Sequence, residues 1–322
     1  SQRLVRRIAL DNILIALNVM LPVFLTIVTG AFLCKIHLLP KSMLKDLNNL
    51  CFKCFLPLLL FKNVYSTDFS QIFDLRLIGF ALISIIIMFS LLCWLIPKFV
   101  ASPAQQSVVI QGFYRSNYVI LGIPIVGNIY GSEHIAVITM LVAVVVPVFN
   151  VLAVLLFEKF KGGHHYDLKK LLLGIASNPL IIGSLSGLLF NALSLSFPTA
   201  VHQTIDSISG MALPLALLIL GADLDLNART TDYLLLSVTV LGRLIIIPAI
   251  FLPLAIILGF RGQALASLTI LYAAPSAVSG YVMAQNANAD YHLAGQVVAI
   301  TSLLSCLTLF IIIALEKHFL LI

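Results

Sequence analysis

The stretch Gly112–Gly131, GFYRSNYVILGIPIVGNIYG, limits which folds the chain can adopt. It is hydrophobic and of membrane-spanning length, yet Arg115, Asn117 and Pro124 interrupt it. Proline removes one backbone donor and blocks another hydrogen bond, and each unpaired backbone group in hydrocarbon costs several kcal/mol. We therefore predict a broken helix that is buried by protein or lines a water-filled cavity.

The composition around this stretch is that of an integral membrane protein. Hydrophobic residues make up 61% of the 322 residues and charged residues only 10%, whereas soluble domains contain about 25% charged residues. Apolar runs of ~20 residues predict membrane-spanning helices, because strands of a membrane barrel would be about ten residues long with alternating polarity. The net charge of +6 lies mostly between these runs, where it signals orientation and requires no nucleic-acid partner.

Windows of about 20 residues predict an all-α polytopic protein with ten transmembrane helices. The first five spans are predicted at 12–34, 46–65, 77–97, 105–130 and 134–157. The other five are predicted at 169–192, 200–222, 233–259, 263–287 and 292–315. The distribution of Lys and Arg between the spans favours both termini outside.

The two sets of five spans resemble each other. Three landmarks recur at one offset of 157 residues, namely Pro22 with Pro179, Gly30 with Gly187, and Leu-Pro-Leu at 56–58 with the same triplet at 213–215. We predict one five-helix repeat in residues 1–157, a short polar loop in 158–170, and a second repeat in 171–322. Because each repeat has an odd number of spans, the two insert in opposite orientations, which is typical of secondary transporters.

The ninth span is also interrupted. It reads ILYAAPSAVSGYVMAQNANAD from residue 270, with Pro275, Ser276, Ser279 and Gly280 inside the apolar run. Under the repeat, Pro124 corresponds to a position near Gly280. Two broken helices at corresponding positions predict a substrate site near the middle of the membrane.

Four stretches carry a resemblance to a known family: LNNLCFKCFLPLLLFKNV at 47–64, SNYVILGIPIVGNIYG at 116–131, GRLIIIPAI at 242–250 and AAPSAV at 273–278. Their residues and their order resemble the auxin efflux carrier family over nearly the whole chain. That family includes plant auxin exporters and bacterial permeases, some of them linked to malate or malonate.

The resemblance implies an inverted fold of five plus five helices in which the broken fourth and ninth helices cross at an organic-anion site. It implies a homodimer in which spans three to five and eight to ten move, as an elevator, against a scaffold of spans one, two, six and seven. By residue, Asn117 matches the substrate-contacting Asn, Pro124 the first crossover proline, and Pro275 the start of the ninth-span motif.

The chain departs from the plant carriers in three respects. Gly280 replaces the second crossover proline, although glycine still permits an irregular backbone. The third span lacks the Asp and Lys of the plant auxin carriers, and the central loop 158–170 is short. A permease of a bacterial inner membrane fits these departures better than a plant auxin exporter.

A carboxylate substrate requires hydrogen-bond donors and positive potential, which the N-termini of half-helices supply. We predict such termini at breaks spanning 117–124 and 275–280, with the Asn117 amide and the hydroxyl groups of Ser276 and Ser279 as further donors. Asn117 could instead make a hydrogen bond between helices.

Two arginines lie within the predicted spans. Arg115 could attract substrate or act as a gate, or it could snorkel or cap carbonyl groups freed by the break. Arg243 has the same alternatives, with Asp223 or Asp225 as a candidate partner.

No Asp or Glu lies in the middle of a predicted span, so a carboxylate-based proton relay is not evident and coupling to H⁺ or Na⁺ stays open. No cofactor or metal is expected, and the absence of a His-Glu-x-x-His motif argues against an enzyme. The alternatives to an organic-anion carrier are a sodium-coupled symporter of the bile-acid carrier type and a non-transporting receptor.

Overall fold

The computed structural model describes residues 21–67, 74–131, 135–160, 173, 176–223 and 232–322. The predicted start of the first span, most of the loop 158–170, and Asp225 lie outside these residues. Within them the secondary structure is helical, together with one antiparallel pairing between Ser116 and Ser276.

The helices follow the predicted apolar runs closely. Listed in chain order, they are α1 (Leu21–Lys35), α2 (Lys41–Leu50, a π-helical turn Cys51–Phe55, and Leu56–Tyr65), α3 (Leu75–Lys98), α4 (Pro103–Tyr114), α5 (Tyr118–Tyr130), α6 (Ala136–Phe160), α7 (Pro179–Ala192), α8 (Thr199–Asp223), α9 (Tyr233–Ile257), α10 (Gly262–Ala273), α11 (Val278–Asn286) and α12 (Tyr291–His318). Among the described residues, α3, α6, α8, α9 and α12 are long and apolar enough to cross a membrane. The prediction of an all-helical, multi-pass membrane protein is confirmed at this level.

Polar residues mark where several helices begin. Asp74 accepts hydrogen bonds from the first backbone N–H groups of α3, Asp232 from those of α9, and Asp290 from that of Leu293 in α12. Asn178 caps α7, which begins with Pro179. Such caps satisfy donors that have no acceptor within the helix, so each apolar run begins at a defined residue.

The four short helices α4, α5, α10 and α11 form the centre of the molecule. Every residue of 106–114 in α4 and of 265–273 in α10 is buried. Helices α6 and α12 pack against this central group, and α3, α9 and α12 also carry large exposed apolar side chains, as a surface facing lipid would.

Helices α1, α2, α7 and α8 pack through glycines that allow close backbone contact. A Cβ atom on Gly30 of α1 would lie 2.1 Å from the carbonyl oxygen of Leu218 in α8, and one on Gly187 of α7 would lie 2.6 Å from that of Phe61 in α2. The two pairs are related by the same offset of 157 residues that relates the sequence landmarks.

Candidate functional site

The breaks in the two central helices pair with each other. Helix α4 ends at Tyr114 and α5 begins at Tyr118, so residues 115–117 form the first break, and residues 274–277 form the second. The backbone N–H of Asn117 donates to the Pro275 carbonyl (2.8 Å), and that of Ala277 donates to the Arg115 carbonyl (3.2 Å). Backbone groups released by each break are therefore satisfied by the other, as a membrane interior requires.

The breaks begin earlier than the sequence predicts. Pro124 and Gly280 lie inside α5 and α11, and the side chain of Pro124 lies outside the described residues. Pro124 follows the paired Ser116 by eight residues, whereas Gly280 follows Ser276 by four, so the two positions do not correspond. The position of each break depends on backbone pairing with the other break, which is distant in sequence. Local residue preferences do not reveal that pairing.

Arg243, on the π-helical turn of α9, caps both helices that lead into the breaks. Its fully buried guanidinium group donates to the carbonyls of Phe113 (2.9 Å), Leu271 (2.8 Å) and Ala274 (2.7 Å). These carbonyls lie at the C-terminal ends of α4 and α10, where the helix dipole favours a cation.

The proposed pairing of Arg243 with an acidic residue is wrong for Asp223, because the described hydrogen bonds of the guanidinium group all go to carbonyl oxygens. Asp223 instead accepts a hydrogen bond from the Tyr281 hydroxyl (3.0 Å), and its carboxylate lies 3.9 Å from the His292 ring. The second candidate, Asp225, lies outside the described residues.

Arg115 makes side-chain contacts and caps no described carbonyl. Its guanidinium group donates to Asn150 Oδ1 (2.6 Å), Ser279 Oγ (2.9 Å) and Met283 Sδ (2.8 Å), and the residue is only 4% exposed. Within the described residues, no carboxylate forms a salt bridge with it. Its positive charge is therefore held beside the break without a described counter-charge.

A central cavity adjoins the paired breaks, with about 50 Å³ of room for the centres of water-sized molecules. About 10–15 Å³ is enough for one water, so the cavity has space for a small ligand or several waters. Its polar wall consists of Asn63, Arg115, Ser116, Asn117, Asn150 and Ser279. Its apolar wall includes Leu56, Leu59, Leu60, Leu180 and Leu213 from α2, α7 and α8.

Four polar groups on this cavity are buried without a hydrogen-bond partner among the described residues. They are the amide nitrogens of Asn63, Asn117 and Asn150 and the hydroxyl of Ser116. Buried polar groups are normally paired, and an exception requires a ligand, a water or a functional reason. Here all four surround one space.

The residues predicted for the site separate into two groups. Arg115, Asn117 and Ser279 lie on the central cavity. Ser276 and Gly280 line a smaller space on the other side of the crossing, where Ser276 Oγ donates to the Gly112 carbonyl (2.8 Å). Pro275 contributes its carbonyl to the pairing of the breaks.

The sequence analysis did not identify Asn63 and Asn150 as site residues. Asn150 is the single amide in the long apolar run of α6, and Asn63 follows Lys62 near the end of α2. Isolated polar residues of this kind usually face a cavity or another helix, so this signal was present in the sequence.

A larger vestibule of about 370 Å³ lies next to the central cavity along the same helices. It is lined by α2 residues 49–53, α6 residues 154–158 and α11 residues 283–287, with Asn178 at the start of α7. Met283 lines the vestibule and also contacts the guanidinium group of Arg115. Arg115 therefore lies between the vestibule and the central cavity.

The chain is similar to known membrane transport proteins. Residues 15–313 match a family described as membrane transport protein. The chain is also similar to an uncharacterized transporter of Methanothermobacter thermautotrophicus, with 27% identity over 296 residues that cover 90% of this chain and 94% of the relative.

Proposed function

The chain belongs to the membrane transport protein family, which is the family of the auxin efflux carriers, and from this premise we propose that it carries small organic anions through the central cavity. The substrate class, the movement and the coupling ion are parts of this proposal. The observation that carries it is the ring of unpartnered polar groups on Asn63, Ser116, Asn117 and Asn150.

The chemistry of this ring suits a carboxylate. Three of the four groups are amide nitrogens, which only donate hydrogen bonds, and a carboxylate only accepts them. Tyr118 and Val119 at the N-terminus of α5 also line the cavity, as does Ser279 in the first turn of α11. Helix N-termini add free N–H groups and a favourable dipole for an anion, and the Arg115 charge adds to both.

The opposite wall favours acids that have one carboxylate and an apolar body. This wall can contact the apolar part of such an acid and has no hydrogen-bond donors in its side chains. It includes Leu56, Leu59, Leu60, Leu180 and Leu213. A second carboxylate, as in malate or malonate, would have to reach Asn63 or remain poorly paired, and leaving a buried charge unpaired is costly. We therefore rank auxin-like monocarboxylates above short dicarboxylates.

We propose alternating access by an elevator movement of α3–α6 and α9–α12 against a dimerising scaffold of α1, α2, α7 and α8. The pairs Gly30 with Leu218 and Gly187 with Phe61 support the inverted repeat, because one offset relates both. The central cavity lies between the two groups of helices, since its polar wall comes mainly from one and its apolar wall from the other. A site at such a boundary can open to either side of the membrane when one group of helices slides along the other.

A sodium-coupled symporter of the bile-acid carrier type remains the second candidate. In the described residues, no group of three or more His, Cys, Asp or Glu side chains could hold a metal ion. Arg115 on the cavity wall also disfavours a cation at that place. We expect uptake of indole-3-acetate into proteoliposomes to continue when Na⁺ is replaced by choline. Loss of this uptake would favour the symporter.

Thermal unfolding of the purified protein in detergent, with indole-3-acetate, lactate, malonate or malate added, tests substrate binding. A ligand at about 100 times its Kd stabilises the folded state by about 2.7 kcal/mol. We expect indole-3-acetate to raise Tm the most. Asn117→Ala should abolish this shift and leave the ligand-free Tm little changed, because the amide nitrogen has no partner to lose.

The matched control is Asn128→Ala, which removes an exposed Asn from the same helix. We expect this variant to keep the full ligand-induced shift. A failure of all four acids to stabilise the unmodified protein would contradict the proposal, and so would an equal shift in both variants.

A further inference from the structure

Glu316 is a buried carboxyl group within the last long apolar helix. It is 4% exposed, and its Oε1 accepts a hydrogen bond from Thr269 Oγ1 (2.6 Å) on α10. Its Oε2 is buried and has no hydrogen-bond partner among the described residues. The predicted tenth span ends at 315, one residue before it, so Glu316 is not among the acidic residues considered from the sequence.

A second unpartnered group faces this carboxyl. Tyr130, the last residue of α5, interacts electrostatically with Glu316, and its hydroxyl is also buried without a partner among the described residues. Glu316 therefore lies at the junction of α10 and α12, with the Thr269 alcohol bonded to it and the Tyr130 phenol close enough to interact with its charge. On its other side is an apolar groove between α9 and α12, lined by Leu244, Pro248 and their neighbours.

Within the described residues, no cation forms a salt bridge with Glu316. From α10 it faces Thr269 and from α5 it faces Tyr130, and the α9 residues that line the groove are apolar. The nearby Arg261 donates to the carbonyls of Ile256 and Phe260. Lys317 and His318, the next residues of α12, are the remaining titratable groups at this end of the helix.

An ionised carboxylate buried without a counter-charge costs several kcal/mol, so such a site favours the neutral acid. We propose that Glu316 is a proton-binding site of the transporter, with Thr269 as its hydrogen-bonding neighbour and Tyr130 in its vicinity. The Oε2–H of the neutral acid is the donor that this junction lacks. A proton suits the site better than Na⁺, because three oxygen-bearing side chains leave a metal ion short of ligands.

The position of Glu316 connects proton binding to the broken helices. Thr269 is in the half-helix that leads to the second break, and Tyr130 ends the half-helix that leaves the first. Release of the proton would place a negative charge where α12 packs against α10, the first of these half-helices. The vestibule adjoins the end of α11, whereas Glu316 contacts Thr269 in the second half of α10 and lies near the end of α5, so the vestibule and Glu316 adjoin different half-helices of the crossing.

Proton binding at Glu316 is tested directly and without a substrate by infrared spectroscopy of the purified full-length protein at neutral pH. We expect the spectrum of the unmodified protein minus that of Glu316→Gln to contain the C=O stretch of a protonated carboxyl. A difference spectrum with ionised carboxylate bands instead would overturn the proposal. Asp46→Asn, which alters an exposed carboxylate on α2, is the control and should remove only ionised bands.

The coupling role rests on the proposed function and has a separate test. Proteoliposomes are given an imposed pH gradient, and uptake of indole-3-acetate is followed for the unmodified protein, Glu316→Gln and Asp46→Asn. We expect the gradient dependence to be lost in Glu316→Gln and kept in the control, with the ligand-induced Tm shift kept in both. Unchanged gradient dependence in Glu316→Gln would refute coupling at this site, whereas absence of any ligand-induced shift in the unmodified protein would refute the transport proposal instead.

Discussion

Arg243 holds both half-helices that enter the crossing through hydrogen bonds to their last carbonyls. Arg243→Met keeps the apolar stem but leaves these buried acceptors unpaired, at about 1–3 kcal/mol for each group. We expect a large fall in Tm in detergent, or failure to accumulate in the membrane.

The control for this substitution is Arg261→Met. Arg261 is exposed but also donates to two carbonyls, those of Ile256 and Phe260. Arg261→Met should lower Tm much less than Arg243→Met does, because water can replace the hydrogen bonds of an exposed side chain. Equal losses in the two variants would argue against a special role for Arg243 at the crossing.

Asn150 has two roles at the site. Its Oδ1 accepts a hydrogen bond from Arg115, and its amide nitrogen, which has no partner among the described residues, lines the cavity. Asn150→Asp keeps the contact with Arg115 but places a negative charge where the substrate carboxylate would bind. We expect the ligand-free protein to remain folded and the indole-3-acetate Tm shift to disappear. Asn128→Asp, which adds the same charge at an exposed position of α5, should retain the shift.

At the scale of helices, packing between α2 and α7 depends on close backbone contact. A Cβ atom on Gly183 would lie 2.4 Å from the Pro57 carbonyl oxygen, so Gly183→Ala must push the two helices apart. Overpacking of this kind typically costs about 1–3 kcal/mol. The expected result is a lower Tm in detergent.

Gly79→Ala on α3 is the matched control, because a Cβ atom there meets nothing within 4 Å. Alanine in a helix interior is more favourable than glycine by roughly 0.5–1 kcal/mol, so this variant should be neutral or slightly more stable. A Tm for Gly183→Ala equal to that of Gly79→Ala would show that α2 and α7 can separate freely.

The helices themselves were largely predictable from the sequence, because hydrophobic length and capping residues are local signals. The α8 helix, for example, was predicted at 200–222 and is found at Thr199–Asp223. The position of the breaks was not predictable, since it depends on pairing between Ser116 and Ser276 and on Arg243 reaching both helices. Two of these contacts, Ser116 with Ser276 and Arg243 with Phe113, join residues more than a hundred positions apart.

The same distinction applies to the candidate site. Asn117 was identified through family resemblance, and in the structure it lines the central cavity. Asn150 was missed although a lone amide in an apolar run is a signal in the sequence, and its contact with Arg115 is visible only in the folded structure. Its substrate-contacting role, like that of Asn117, stays a prediction until binding is measured.

At the scale of the whole molecule, the elevator proposal requires α8 to slide against α11 and α12. Asp223 of α8 contacts Tyr281 of α11 and lies 3.9 Å from the ring of His292 in α12. A covalent bridge at this contact should therefore fix the two groups of helices in one arrangement. Asp223→Cys with His292→Cys, in a variant lacking the five native cysteines, provides the bridge after treatment with a short thiol-specific cross-linker.

We expect the bridge to stop uptake of indole-3-acetate into proteoliposomes, and a reducible cross-linker should allow recovery on reduction. The matched control joins α4 to the start of α12 through Gln105→Cys with Asp290→Cys, because the side chains of these residues are 3.3 Å apart and both are assigned to the moving group. That bridge should leave uptake intact, since it connects parts that move together. Continued uptake with the first bridge closed would exclude a sliding movement at this contact, and loss of uptake with both bridges would show that cross-linking alone inactivates the protein.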